Sequence, residues 1–372
     1  MNFVLLGLTS ALDAVANALV FSGALSANFY ASEVAEFSTM LAWAAVISAA
    51  FFGGAEQLID HRKTLPGNFF LTPQQVPWLF IPAIICSVLL ASSKADIISG
   101  ALLLAVVLGL RNIGRAAVYA RRKYWQEFLI TSLELVCLAL LTRAALPLLN
   151  SYVLSRLVGL TFRLSAIDKL NGAPISRLDM MGYSFSALAP AVYFNLYYAM
   201  LPIFAQPDTI VRFRYVQSLL VPMSFLGSLF ARARIVFDGN AGKIITMFDF
   251  PARSQGWLSY SISALFPVLL SCSYINMLSL FVVDITLQEM FAMTLYCSLI
   301  YHRSQLYSHI TLRLGAATRA RVAMFGILLL FVSFLAVGFL GGATVKILFV
   351  SLCVVETCLL GISAFLLIRA QA

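Results

Sequence analysis

The sequence predicts an all-α polytopic membrane protein of about 12 transmembrane helices in two six-helix bundles, with both termini on the cytoplasmic side. Three observations carry this. The 372 residues are 61% hydrophobic and only 11% charged, with mean hydropathy +0.92, whereas soluble domains carry about 25% charged residues. Twelve apolar stretches can be marked out, and twelve spans of roughly 20 residues leave short connections and no room for a soluble domain. Finally, all but six of the 25 Lys and Arg fall in every second gap, counting the N-terminus as inside. The exceptions are Lys94, Arg143, Arg212, Arg214 and Lys346, at outside gaps or nearby helix ends, and Arg156, within a span. Basic residues stay on the cytoplasmic face during insertion, so the alternation sets the topology. The net charge of +9 then reads as loop charge facing anionic headgroups, and nucleic acid is not an expected partner.

In chain order the predicted helices run 2–25, 37–59, 75–92, 97–120, 125–148, 150–166, 180–204, 209–234, 257–281, 287–311, 320–341 and 344–368. Met1-Asn2-Phe3 lacks the basic start of a signal peptide, so the first helix is read as uncleaved. The outside connection Ser26–Glu36 leads into the second helix, whose last stretch, Phe51 to Ile59, contains Gly53-Gly54 and precedes the basic pair Arg62-Lys63. The third and sixth are short for a full span. The fourth ends in a basic, partly amphipathic stretch from Arg111 to Lys123, and Trp125 reopens the membrane. A tight outside turn, Ala205–Asp208, joins the seventh and eighth. The longest inside gap, Ile235–Gln255, contains Asp238-Gly239-Asn240 and Pro251, which is turn chemistry. The tenth helix follows the outside turn Val282–Thr286 and again ends in a basic stretch, from Arg303 to Arg321. Arg111/Arg121 and Arg303/Arg313 share an offset of 192 residues. Two halves of like orientation, 1–170 and 171–372, explain this, joined near Asp168–Arg177. An even helix count per half makes the repeat parallel, about an axis along the membrane normal.

The six cysteines all lie in apolar spans, none in a CxxC pair or with His at ligand spacing. They read as small buried hydrophobes, with no disulfide, metal or cofactor implied. Charges within spans are more informative, because one at bilayer depth costs about 2.5–3.5 kcal/mol on insertion scales and needs a cavity or a partner. Asp13, Arg156 and Glu356 sit mid-depth, Glu134 in the inner half of the fifth helix, and Arg143, Arg212 and Arg214 toward outer ends. Arg143 reads as a snorkelling interfacial group. Arg156 cannot shed its charge, so it is expected to face a cavity. Arg212 and Arg214 point about 200° apart on a helix, so at most one faces inward squarely. Asp13 and Glu356 can take up a proton, and with Glu134 they are the candidates for ion or proton coupling.

Four segments carry a family resemblance: Ala31-Ser32-Glu33-Val34-Ala35-Glu36-Phe37-Ser38 entering the second helix, Phe51-Phe52-Gly53-Gly54-Ala55-Glu56-Gln57-Leu58-Ile59 ending it, Leu110 to Arg122, and Phe194-Asn195-Leu196 through the turn Gln206-Pro207-Asp208 to Gln217. Together they resemble the multidrug/oligosaccharidyl-lipid/polysaccharide (MOP) exporter superfamily, particularly its bacterial polysaccharide (O-antigen-type) flippase branch. Tyr197 and Tyr198 stand where such proteins often carry an acidic residue after the Asn of the seventh helix. Some relatives also have fourteen helices. The resemblance implies a flippase, not an enzyme, in the bacterial cytoplasmic (inner) membrane. Its cargo would be a polyprenyl-diphosphate-linked oligosaccharide destined for O-antigen, capsule or exopolysaccharide, with glycan polymerase or assembly proteins as partners. Such a cargo needs cations for its phosphates and hydroxyl or amide groups for its sugars. Arg156 and one of Arg212 and Arg214 supply the first; Tyr183, Tyr193, Asn195, Tyr197 and Gln217 supply the second. The alternative on the same scaffold is a cation-coupled multidrug exporter using Asp13, Glu134 and Glu356. A membrane glycan polymerase or ligase is disfavoured: the outside connections are short and lack acid–base groups, and His61, His302 and His309 all lie toward the cytoplasm. Asp60-His61-Arg62-Lys63 resembles a facilitator-superfamily loop only loosely, since that family's glycine spacing is missing.

Overall fold

The computed structural model describes residues 2–25, 29–62, 65–66, 96–144, 146–167, 172–173, 177–218, 220, 268–269, 271–273, 286–339 and 344–370. Apart from one dipeptide pairing, the regular structure of these residues is helical. The first helices are α1 (Asn2–Leu25), α2 (Ala31–Phe51) and α3 (Gly53–Arg62), followed by α4 (Asp96–Ala120), α5 (Tyr124–Arg143) and α6 (Leu148–Ile167). Next come α7 (Arg177–Phe204) and α8 (207–218), and then α9 (Leu287–Leu314), α10 (Ala316–Phe339) and α11 (Val345–Arg369). Leu65–Pro66 (β1) pairs in parallel with Gly172–Ala173 (β2), tying two predicted cytoplasmic connections together. The predicted helix 75–92, the gap 235–255 and most of the helices predicted at 209–234 and 257–281 lie outside the described residues.

Six helices are long and apolar enough to cross a membrane among the described residues: Ala31–Phe51, Ile97–Ala120, Tyr124–Arg143, Ala187–Phe204, Ala317–Gly338 and Val345–Arg369. α6 and α9, which carry the buried Arg156, Arg163 and Arg303, are not among them. The all-α membrane-spanning class is therefore what the chain has. Boundaries differ in instructive places. α2 starts at Ala31, six residues earlier than expected, with Glu33 in its first turn where the helix dipole favours an anion. The predicted second helix is also broken at Phe52, whose N–H bonds back to Ser48 O at 2.8 Å before α3 begins. The basic stretch after the fourth helix is compact: Arg122 adopts φ 57°, and the bonds Lys123 N–H to Val118 O and Arg122 N–H to Tyr119 O close a Schellman-type stop. Pro147 and Pro207 lead α6 and α8, where a missing N–H costs nothing.

Contacts group Met1–Ser218 as one unit and Leu219–Ala372 as another. Thus α7 and α8, placed in the second half by the division at residue 170, pack with the first six helices, α7 lying along both α2 and α3. The reason is local: a Cβ on Gly53 would stand 2.5 Å from Ala187 Cβ, so glycine permits that approach. The core of this unit draws Phe21, Val34, Phe37, Leu104, Leu138 and Val211 from α1, α2, α4, α5 and α8. In the second unit α9, α10 and α11 pack on one another. α9 opens with a capping box, Thr286 accepting from Glu289 N–H while the Glu289 carboxylate accepts from Thr286 N–H at 2.9 Å.

Candidate functional site

The site grows from three helix faces. Glu127, Thr131, Glu134 and Leu138 of α5 recur at helical spacing and are all buried, while Trp125, Leu129, Leu133, Val136 and Leu140 form the exposed opposite stripe. In water that polarity would be inverted. In a bilayer it is the stable arrangement, with apolar groups to lipid and carboxylates to protein. Tyr152, Arg156, Gly159 and Arg163 likewise share one face of α6, and Arg111 and Arg115 lie one turn apart on α4.

These faces meet, together with α1, in one ion network. Glu134 Oε2 accepts from Arg111 Nε at 2.9 Å, Arg111 Nη2 at 2.8 Å and Arg156 Nη1 at 2.6 Å, and Glu134 Oε1 accepts from Arg163 Nη1. Arg163 also grips Glu127 two-handed, Nε to Oε2 at 2.9 Å and Nη2 to Oε1 at 2.6 Å, while Thr131 donates to Glu127 Oε1 at 3.2 Å. Asp13 accepts from Arg111 Nη2 at 2.6 Å and from Arg115 Nη1, with Arg156 Nη1 at 3.7 Å. Bidentate, charge-assisted bonds of this kind are the geometry that makes a buried guanidinium tolerable. Four guanidinium groups face three carboxylates, so the network carries one excess positive charge. Its open end is Asp13 and Arg115, whose side chains are 20% and 19% exposed.

Two glycines make room for it. A Cβ on Gly159 would run into the Glu134 carboxylate, and one on Gly114 would lie 2.7 Å from Arg163 Cβ. Arg156 stacks over Tyr152, its Cζ 4.8 Å from the ring centroid, and its buried Nε has no acceptor. Among the described residues no three His, Cys, Asp or Glu side chains are grouped as a metal ion would require.

A second cationic position lies on α8. Arg214 is buried between α1, α2 and α7: its Nε donates to Ser38 Oγ at 2.6 Å, its Nη2 to Ser38 O at 3.0 Å, and its Cζ lies 3.3 Å from the Tyr198 ring centroid and 5.7 Å from that of Phe21. No carboxylate reaches it among the described residues. Arg214, then, is the member of the Arg212/Arg214 pair turned into the bundle, while Arg212 is half-buried. Tyr193 and Tyr197 are buried among aromatic rings, Tyr197 against Tyr198 and Phe213. Asn195 is half-buried with its amide donating to Ala191 O of its own helix at 2.8 Å, and Gln217 is half-buried on α8. The Tyr183 side chain lies outside the described residues. In the second unit Glu356 of α11 is ion-paired with Arg303 of α9.

The structure thus joins what the sequence kept apart. Arg156, a cargo candidate, and Asp13 and Glu134, coupling candidates, belong to one network. Arg111, Arg115, Arg163 and Arg303 were assigned to cytoplasmic gaps. Of these, Arg111, Arg163 and Arg303 are at most 5% exposed within helices, and Arg115 shares Asp13 with Arg111. Glu127 does not stand out in the sequence. Its spacing to Thr131 and Glu134 was the available signal, masked by the charge-sorting pattern that explained the arginines equally well.

No family model matches the chain, and no curated protein matches it by sequence. Solved structures do match along nearly its whole length. An inward-facing multidrug resistance MATE family transporter of the MOP superfamily superposes with TM-score 0.60 at 11% identity, covering 98% of this chain and 94% of that one. A MATE in complex with MaL6 gives TM-score 0.59 at 12% identity, with 99% and 95% covered. A MOP superfamily transporter from Pyrococcus furiosus, described as having a binding pocket of reverse polarity that suggests a different function, gives TM-score 0.54 at 12% identity, with 100% and 94% covered. The chain has the fold of the membrane transporters of the MOP superfamily.

Proposed function

We propose that this chain is a transporter that moves an anionic, lipid-linked oligosaccharide across the cytoplasmic membrane for surface polysaccharide assembly. The observation that carries the reading is Arg214, a buried cation held by a hydroxyl, a carbonyl and an aromatic face, with no carboxylate among the described residues. A guanidinium so placed is under-compensated, and a phosphate oxygen pair is the ligand whose geometry and charge suit it best. The excess positive charge of the α1–α4–α5–α6 network adds to the same polarity. Within that network Arg156 positions Glu134. Asp13, at the exposed end, is the group that a coupling cation or proton reaches first. Glycan polymerase or assembly proteins would receive the cargo on the far side.

The test is Arg214→Ala beside Arg214→Lys in cells, scoring surface polysaccharide, accumulated lipid-linked glycan and the amount of protein in the membrane. Arg214→Ala should abolish export at unchanged abundance, and Arg214→Lys should keep part of it. Normal export in Arg214→Ala overturns the reading. Altered drug resistance with intact surface glycan transfers the assignment to a cation-coupled multidrug exporter.

A further inference from the structure

The second unit holds an apolar cavity of about 1060 Å³, walled by α9, α11 and the helical residues Val268 and Cys272. Phe291 and Leu295 line one side and Val350 and Val354 the other, and all four side chains stand open to the surroundings. The polar groups in these walls are already satisfied: Thr294 donates to Met290 O at 2.9 Å, and Thr357 to Cys353 O at 2.8 Å. A wall of this kind offers nothing to a sugar or to water and everything to an alkyl chain.

Among the described lining residues, the charged and amide side chains, Lys346 and Gln288, stand at the rim at one end. There Lys346 Nζ donates to Gln288 Oε1, which leaves the Gln288 amide NH2 as a further donor. No carboxylate pairs with Lys346 among the described residues. From Lys346 to Cys358 the lining of α11 spans roughly 18 Å at 1.5 Å per residue. That is a little over half of a hydrocarbon core of about 30 Å, the depth of one leaflet.

We propose that this groove binds an anionic phospholipid of the leaflet at the Lys346 end, its phosphate on Lys346 and Gln288 and one acyl chain along Phe291, Leu295, Val350 and Val354. The site is independent of Arg214 and of the cargo, so it stands or falls separately from the transport reading.

The experiment is native mass spectrometry of the full chain in detergent, supplied with phosphatidylglycerol or phosphatidylcholine in mixed micelles. The wild type should retain phosphatidylglycerol severalfold better. Lys346→Gln should bring it down to the phosphatidylcholine level, and Val354→Trp, which fills the groove, should lower retention of both. Leu295→Trp on the opposite wall repeats the second arm should Val354→Trp fail to fold. Equal retention of the two lipids by the wild type overturns the headgroup assignment, and unchanged retention in the tryptophan variants overturns the groove. Displacement of phosphatidylglycerol by an equimolar polyprenyl phosphate overturns the phospholipid as occupant.

Discussion

Replacing Glu134 by Gln is the sharpest probe of the buried network. Glu134 receives bonds from Arg111, Arg156 and Arg163 and is fully buried. The amide is nearly isosteric, so the change removes charge and not volume. It leaves four guanidinium groups with only Asp13 and Glu127, and the excess charge rises from one to two. Removing one partner of a buried ion pair costs about 3–5 kcal/mol, because the remaining charge stays buried without compensation. A domain of 150–250 residues loses about 2–4 °C of melting temperature per kcal/mol. For the unit Met1–Ser218, Glu134→Gln should therefore melt about 6–20 °C below the wild type. The assay is thermal unfolding of purified protein in detergent, followed by intrinsic fluorescence. The double variant Glu134→Gln/Arg156→Gln returns the excess charge to one and should recover a substantial part of the loss. A single variant as stable as the wild type, or a double variant no better than the single, refutes the reasoning that charge balance holds this bundle together.

Two further outcomes follow from the same geometry. Gly159→Ala pushes a methyl group into the Glu134 carboxylate and should destabilise the protein by about 1–3 kcal/mol, the usual cost of overpacking; a melting temperature equal to that of the wild type would show that α6 slides freely past α5. Ser38→Asp places a carboxylate beside Arg214, where the described residues supply none. Transport should fall at normal membrane abundance while the melting temperature rises, and intact transport would show that Arg214 takes no part in handling the cargo.

Much of the architecture was legible because membrane insertion acts along the chain. Apolar runs of spanning length and the sorting of Lys and Arg are linear signals, and they survive whatever the helices later do to one another. Even the breaks had local causes: Phe52 before Gly53-Gly54 ends α2, and Pro147 and Pro207 lead helices. The buried charges of the two units were half legible. Asp13, Glu134, Arg156 and Glu356 stood out as charges where charges are costly. Arg111, Arg163 and Arg303 did not, because an arginine near a helix end has the same place in the sequence whether it reaches headgroups or turns inward to a carboxylate.

The sequence by itself determined that this is an all-helical membrane protein and that Asp13, Glu134, Arg156 and Glu356 lie at depth, since hydropathy and charge are properties of each residue in order. Only the tertiary structure decided which way those residues point. When nearly every face of a helix is apolar, periodicity gives no azimuth. The pairing of Glu134 with three arginines, and the turn of Arg214 rather than Arg212 into the bundle, follow instead from which helices come close enough to share a charge.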